Sequence, residues 1–195
     1  MAGWALAVGV AAGSLAGCAE PVRFERDQGI PPREGPALPP RPSVRTCLAG
    51  VDLSLGSLAP MPDVLSATSC FTDVAAGAPA ADLIPFGVNS PLWTDGASKR
   101  RWIALPPGGA IDATRADAWQ FPVGTQLWKE LSFGRRVETR YMERTASGWL
   151  FATYVWNDAG TEATLAPNAG LASVEVAAGV RHRVPSQADC KICHG

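Results

Sequence analysis

Near the end of the chain stands Asp189-Cys190-Lys191-Ile192-Cys193-His194-Gly195, and Cys-x-x-Cys-His is the attachment signature of c-type haem. The spacing has a mechanical reason. On one turn of helix, residues three apart share a face, so two thiols can reach the two vinyl groups of a single porphyrin. Cys190 and Cys193 are therefore the expected thioether positions. His194, the next residue, is the expected proximal ligand to iron. Three other chemistries use a similar word. A thioredoxin-like dithiol needs a following helix inside a βαβ frame, and only Gly195 follows. A zinc site needs a fourth ligand, for which His182 is the one spare histidine. A local disulfide loop needs nothing else. Haem c fits best, because export places the thiols where such attachment occurs.

A second axial ligand would have to come from Met61, Met142 or His182, and the sequence assigns none of them. Met142 reads equally as a filler on a half-wet strand. His182, between Arg181 and Arg183, reads as a solvent-facing strand residue.

Export is read from the other end. Met1 to Ala16 carries no charge, and Trp4 to Leu15 is an apolar run too short to span a bilayer. Leu15-Ala16-Gly17-Cys18 resembles a bacterial lipobox, so residues 1–17 read as a signal peptide and Cys18 as a lipid-carrying membrane anchor. The n-region lacks its usual Lys or Arg. Ala19 after the cysteine favours the outer membrane over inner-membrane retention. Residues 18–45, with Pro31, Pro32, Pro36, Pro39, Pro40 and Pro42, read as a polyproline-like tether with little ability to pack. Of the five cysteines, Cys47 and Cys70 remain, and in an exported protein their default state is a disulfide. On the chain-entropy estimate it stabilises the fold by about 3 kcal/mol.

The elements that must position the motif are mainly strands. The chain has 195 residues, 47% hydrophobic and 18% charged, with 20 Gly and 17 Pro, which favours turns and hairpins over long helices. Its formal net charge of −1 leaves no electrostatic footprint for nucleic acid. Residues 46–80 read as a small disulfide-closed cap with one short helix, Val64 to Ala67 or Phe71 to Ala76. Residues 81–184 read as a β domain with strands Arg100–Leu105, Ala118–Phe121, Thr125–Phe133, Arg136–Arg144, Trp149–Trp156, Glu162–Ala166, Ala172–Val176 and Val180–Val184. In Val137-Glu138-Thr139-Arg140-Tyr141 apolar or β-branched residues alternate with charges, so one face should be wet. Trp149 to Trp156 is nearly continuous, as in a central buried strand. The expected fold class is mainly β, an aromatic-rich sandwich or barrel-like domain. Residues 185–195 should add a short helical haem-attachment turn.

One ordered set of words resembles a known family. It runs Ile84-Pro85-Phe86-Gly87-Val88-Asn89-Ser90-Pro91-Leu92-Trp93-Thr94-Asp95-Gly96, then Lys99-Arg100-Arg101-Trp102, Phe121-Pro122-Val123-Gly124-Thr125, Glu138-Thr139-Arg140 and Tyr154-Val155-Trp156-Asn157, ahead of Val184-Pro185-Ser186 and the CxxCH. From about Leu65 to Gly195 the chain resembles exported, largely uncharacterised bacterial proteins often described as di-haem c-type cytochromes. Similar modules occur beside sugar-dehydrogenase-like domains. The resemblance implies electron transfer by a haem-bearing lipoprotein. The family continues past the motif, so a second haem or a distal ligand is expected in sequence beyond residue 195.

Other residues in the block have plainer readings. Asn89, Asp95, Lys99 and Arg101 either close a polar network at the domain edge or face a ligand, and the first is preferred. Six of the seven tryptophans, Trp93, Trp102, Trp119, Trp128, Trp149 and Trp156, should serve packing rather than form a sugar platform. Asn157, Asp158 and Glu162 fall short of a calcium loop. No nucleophile, carboxylate pair or nucleotide loop supports autonomous catalysis. The expectation is therefore an electron carrier whose partner is a periplasmic or surface redox protein. The alternatives are a haem-bearing subunit of a sugar or alcohol dehydrogenase, and a non-redox ligand-binding β module.

Overall fold

The computed structural model describes residues 45–194, so Cys18, the signal segment and the proline-rich stretch lie outside it. Two 3-10 turns, Leu53–Leu58 and Leu65–Thr68, lead into a small hairpin of β1 (Phe71–Asp73) and β2 (Ala78–Pro79). Six strands follow: β3 (Ile84–Pro85), β4 (Ser98–Ala104), β5 (Gln126–Ser132), β6 (Arg136–Thr145), β7 (Gly148–Trp156) and β8 (Ala163–Leu165). They form one antiparallel meander in chain order. A separate hairpin of β9 (Leu171–Ala177) and β10 (Val180–Val184) precedes the helix α1 (Gln187–His194). The fold is mainly β with a short C-terminal helix, and its sheets do not close into a barrel.

Two expected elements differ. Ala118–Phe121 is not a strand; it contributes one isolated bridge, Asp112 to Gln120. Pro122 follows it without a donor to extend a ladder, and Trp119 is 53% exposed. Phe71 begins a strand rather than a helix, because Asp73 Oδ1 accepts from the Ala76 amide and Gly77 turns at φ 65°.

Strict register divides the six-stranded sheet into two faces. Trp102, Trp128, Tyr141 and Ala152 stand directly opposite one another on one face. Phe71 meets Trp102 and Trp128 edge-on, with ring centroids 5.8 and 5.7 Å apart. Cys47, Leu48, Leu65 and Val74 complete that core, so the cap shares the sheet's own hydrophobic interior. Cys47 and Cys70 are joined by a disulfide. Trp128 is 1% exposed, and truncating it to alanine would cost about 3–5 kcal/mol.

Arg45, assigned by sequence to the tether, is instead part of the fold. Its guanidinium lies 3.0 Å from Glu143, whose other oxygen accepts from Gln126 at 3.0 Å and from the Tyr141 hydroxyl. Glu143 is buried, and these three donors satisfy a carboxylate that could not otherwise stay there. Burial, with the neighbouring carboxylate second, holds the Tyr141 hydroxyl well above its usual range.

The tryptophan expectation holds for Trp102, Trp128 and Trp156, which are buried, and fails for Trp93 and Trp119, which are 82% and 53% exposed.

Candidate functional site

The other face of the sheet carries two unlike rows. Leu127, Met142 and Phe151 pair directly across β5, β6 and β7, with Ile103 of β4 opposite Leu127. Two residues along each strand, the row reads Arg101, Lys129, Arg140, Thr153. Side chains alternate along a strand, so both rows project to the same side. An apolar strip therefore lies beside a cationic one.

The hairpin β9–β10 covers the row beyond. His182 Nε2 lies 3.0 Å from Glu138 Oε1, and both residues are buried. Arg140 donates to the same carboxylate through Nε at 2.8 Å. The face of β6 expected to be wet is thus roofed by β10, and His182 is not a solvent-facing residue.

The motif helix is docked by its own first turn. The Asp189 amide donates to Ser186 Oγ at 3.0 Å, while Asp189 Oδ2 accepts from the Ser186 amide at 2.8 Å, a reciprocal capping box. These bonds from Ser186, with Arg183 at 2.7 Å, hold the Asp189 carboxyl below its usual range. Gln187 Nε2 donates to the Phe151 carbonyl at 2.9 Å and to Asn168 Oδ1 at 3.0 Å. Gly170 sits against the junction of β10 and the helix; a Cβ there would lie 2.4 Å from the Val184 carbonyl oxygen.

This docking turns Cys190, Cys193 and His194 into one cavity of about 460 Å³. Leu127, Met142 and Phe151 also line it, as do Arg101, Lys129 and Arg140. Phe86, Val88 and Leu92 line it as well. Leu92, which lines the cavity, is 84% exposed, and Ile192 of the motif helix is 81% exposed. The His194 ring lies 6.2 Å from that of Phe151.

Electrostatics sort the competing chemistries. Burial first, then Lys129 and Arg140, lowers the His194 pKa, which favours the neutral imidazole that ligates metals. Burial raises the Cys190 thiol, so it is not the low-pKa thiolate of a redox dithiol. Cys190 and Cys193 are free thiols, not a disulfide loop. His182 is engaged with Glu138 and does not line the cavity, which removes the fourth ligand that the zinc reading required. Among the described residues no three His, Cys, Asp or Glu side chains gather as a metal cluster. Lys129 is brought down to about 8, first by burial and then by Arg140, Arg101 and Lys99.

Of the three axial candidates, Met142 shares the cavity with His194. Met61 lines a smaller cavity of about 290 Å³ that touches Cys190 but neither Cys193 nor His194. The block residues divide. Lys99 donates to the Leu92 carbonyl at 2.6 Å and Asp95 lies 3.7 Å from His182 Nδ1, both edge contacts, whereas Arg101 faces the cavity. Asn89 is exposed. Glu162 is held by Ser66 and by the Ala163 amide at 2.8 Å, and Asp158 by Arg135 at 3.3 Å, so these acids do not converge on a calcium site. Lys129 and Arg140 were not singled out by the sequence as site residues. Their only signal is a register that pairing alone reveals.

No family model, curated protein or solved structure matches this chain.

Proposed function

We propose that this chain is an exported c-type haem lipoprotein that carries electrons, with Cys190 and Cys193 as thioether positions and His194 as proximal ligand. One observation carries the reading: the three motif side chains line one cavity together with the apolar row Leu127, Met142 and Phe151. The residues present suit the group. Two free thiols stand on one helix face, a lowered imidazole follows them, and apolar surface awaits a large flat partner. Haem iron, when bound, supplies one-electron chemistry. The chain's own residues do the rest: Leu127, Phe151, Phe86 and Val88 exclude water, and the capped helix fixes His194.

The exposed apolar side chains of Leu92 and Ile192 suit a redox protein of the periplasm or cell surface as partner, with Cys18 as the lipid anchor. Nothing in the site favours a dehydrogenase role or a non-redox module over this. Expression with the c-type maturation machinery tests the proposal. A haem-stained band should survive on a denaturing gel and vanish in the Cys190→Ala, Cys193→Ala double variant. An unstained band from the matured wild type would refute it.

A further inference from the structure

Arg101, Lys129 and Arg140 stand side by side on three adjacent strands, each directly opposite the next. Like charges so placed repel, and across two strand spacings of about 4.8 Å water screens them poorly in a half-buried site. Their compensation is incomplete. Arg140 is paired with the buried Glu138. Asp189, the acid that lines the cavity, is taken up by Arg183 and the helix cap. Neither Arg101 nor Lys129 makes a side-chain hydrogen bond or salt bridge among the described residues. Three cations face one available carboxylate, so two positive charges remain. A fold keeps such a row where a ligand brings the missing anions.

The apolar row beside it decides what kind of anion. A small hydrophilic ion would leave Leu127, Met142 and Phe151 wet, whereas an amphipathic plate with acidic groups at one edge matches both rows.

We infer that Arg101 and Lys129, with Arg140 beside them, form a dicarboxylate clamp that would receive the two propionates of a porphyrin held by the motif helix. This rests on the haem proposal and specifies which residues orient the group and fix its acidic edge toward β4–β6.

The test uses the full chain produced without the maturation machinery. Protoporphyrin IX and its dimethyl ester are titrated separately, with tryptophan fluorescence as the readout, and succinate serves as a competitor. The free acid should bind at least about tenfold more tightly than the ester, the scale expected for charge-assisted pairs. The Arg101→Met, Lys129→Met double variant should reduce the acid to the ester's affinity and leave the ester unchanged. That variant relieves repulsion, so its thermal midpoint should not fall. Equal binding of acid and ester by the wild type would overturn the clamp and spare the haem reading. Failure of both porphyrins to bind would count against both. Displacement of the acid by millimolar succinate, with loss of that effect in the variant, would reassign the row to soluble dicarboxylates and overturn the propionate assignment.

Discussion

The side-chain amide of Gln187 donates a 2.9 Å hydrogen bond to the backbone carbonyl of Phe151, tying the first turn of the motif helix to the strand that floors the cavity. Ser186 and Asp189 close the cap one residue away. The helix has eight residues and none of them is buried, so these polar contacts, not an apolar stripe, aim His194. Ser186→Ala should therefore cost about 1 kcal/mol, and Gln187→Ala a similar amount. Both should loosen residues 187–194 while leaving the sheet intact. Hydrogen exchange would show faster exchange of the Asp189 and Cys190 amides and unchanged protection in β5–β7. Equal loss of protection throughout would contradict this.

Lys129 should make the stability of the domain depend on alkaline pH. Arg101 and Lys99 on β4, Glu138 and Arg140 on β6, and Asp189, Cys190, Cys193 and His194 on α1 are the charged or titratable groups around it. Its folded pKa of about 8 lies below the ordinary 10.5, so between those values the unfolded chain holds the proton and the folded chain does not. Stability from this group accordingly rises with pH from about 8 to 10.5 and is flat below that window. Denaturant midpoints of wild type and Lys129→Met, compared from pH 7 to 10, should converge as pH rises. A constant gap would show that Lys129 titrates normally.

Much of the architecture was legible in the residues. Val180–Val184 is found as expected, β5, β6, β7 and β9 lie within a residue or so of their expected bounds, and β4 begins two residues early. Alternation and turn chemistry specify such elements locally. The wet face of β6 was misjudged because alternation reports which side a residue faces, not what covers that side. Glu138 and Arg140 look like solvent residues until β10 lays His182 over them. The thiols and His194 were readable from spacing alone. The cationic row was not, because it exists only once three strands are in register.

Met142 is the axial candidate that shares the His194 cavity, whereas His182 is committed to Glu138. In matured protein, Met142→Ala should shift the haem spectrum toward high spin and speed carbon monoxide binding. Met61→Ala should leave the spectrum unchanged, and so should His182→Ala where the fold is retained. A spin-state change in the His182 variant, with Met142→Ala silent, would reverse the assignment.

The Cys47–Cys70 bridge closes a 23-residue separation at the base of the shared core. Replacing both with serine should lower stability by about 3 kcal/mol on the chain-entropy estimate. Iodoacetamide should label neither residue before reduction. Labelling of Cys47 in the native exported protein would show the pair to be open.

Covalent haem attachment is read out by mass spectrometry of the peptide that carries Cys190 and Cys193, taken from protein matured in the periplasm and exposed to an alkylating agent. That peptide should carry the mass of one haem, with both cysteines unreactive to the reagent. A peptide of unmodified mass with two alkylated cysteines would contradict it.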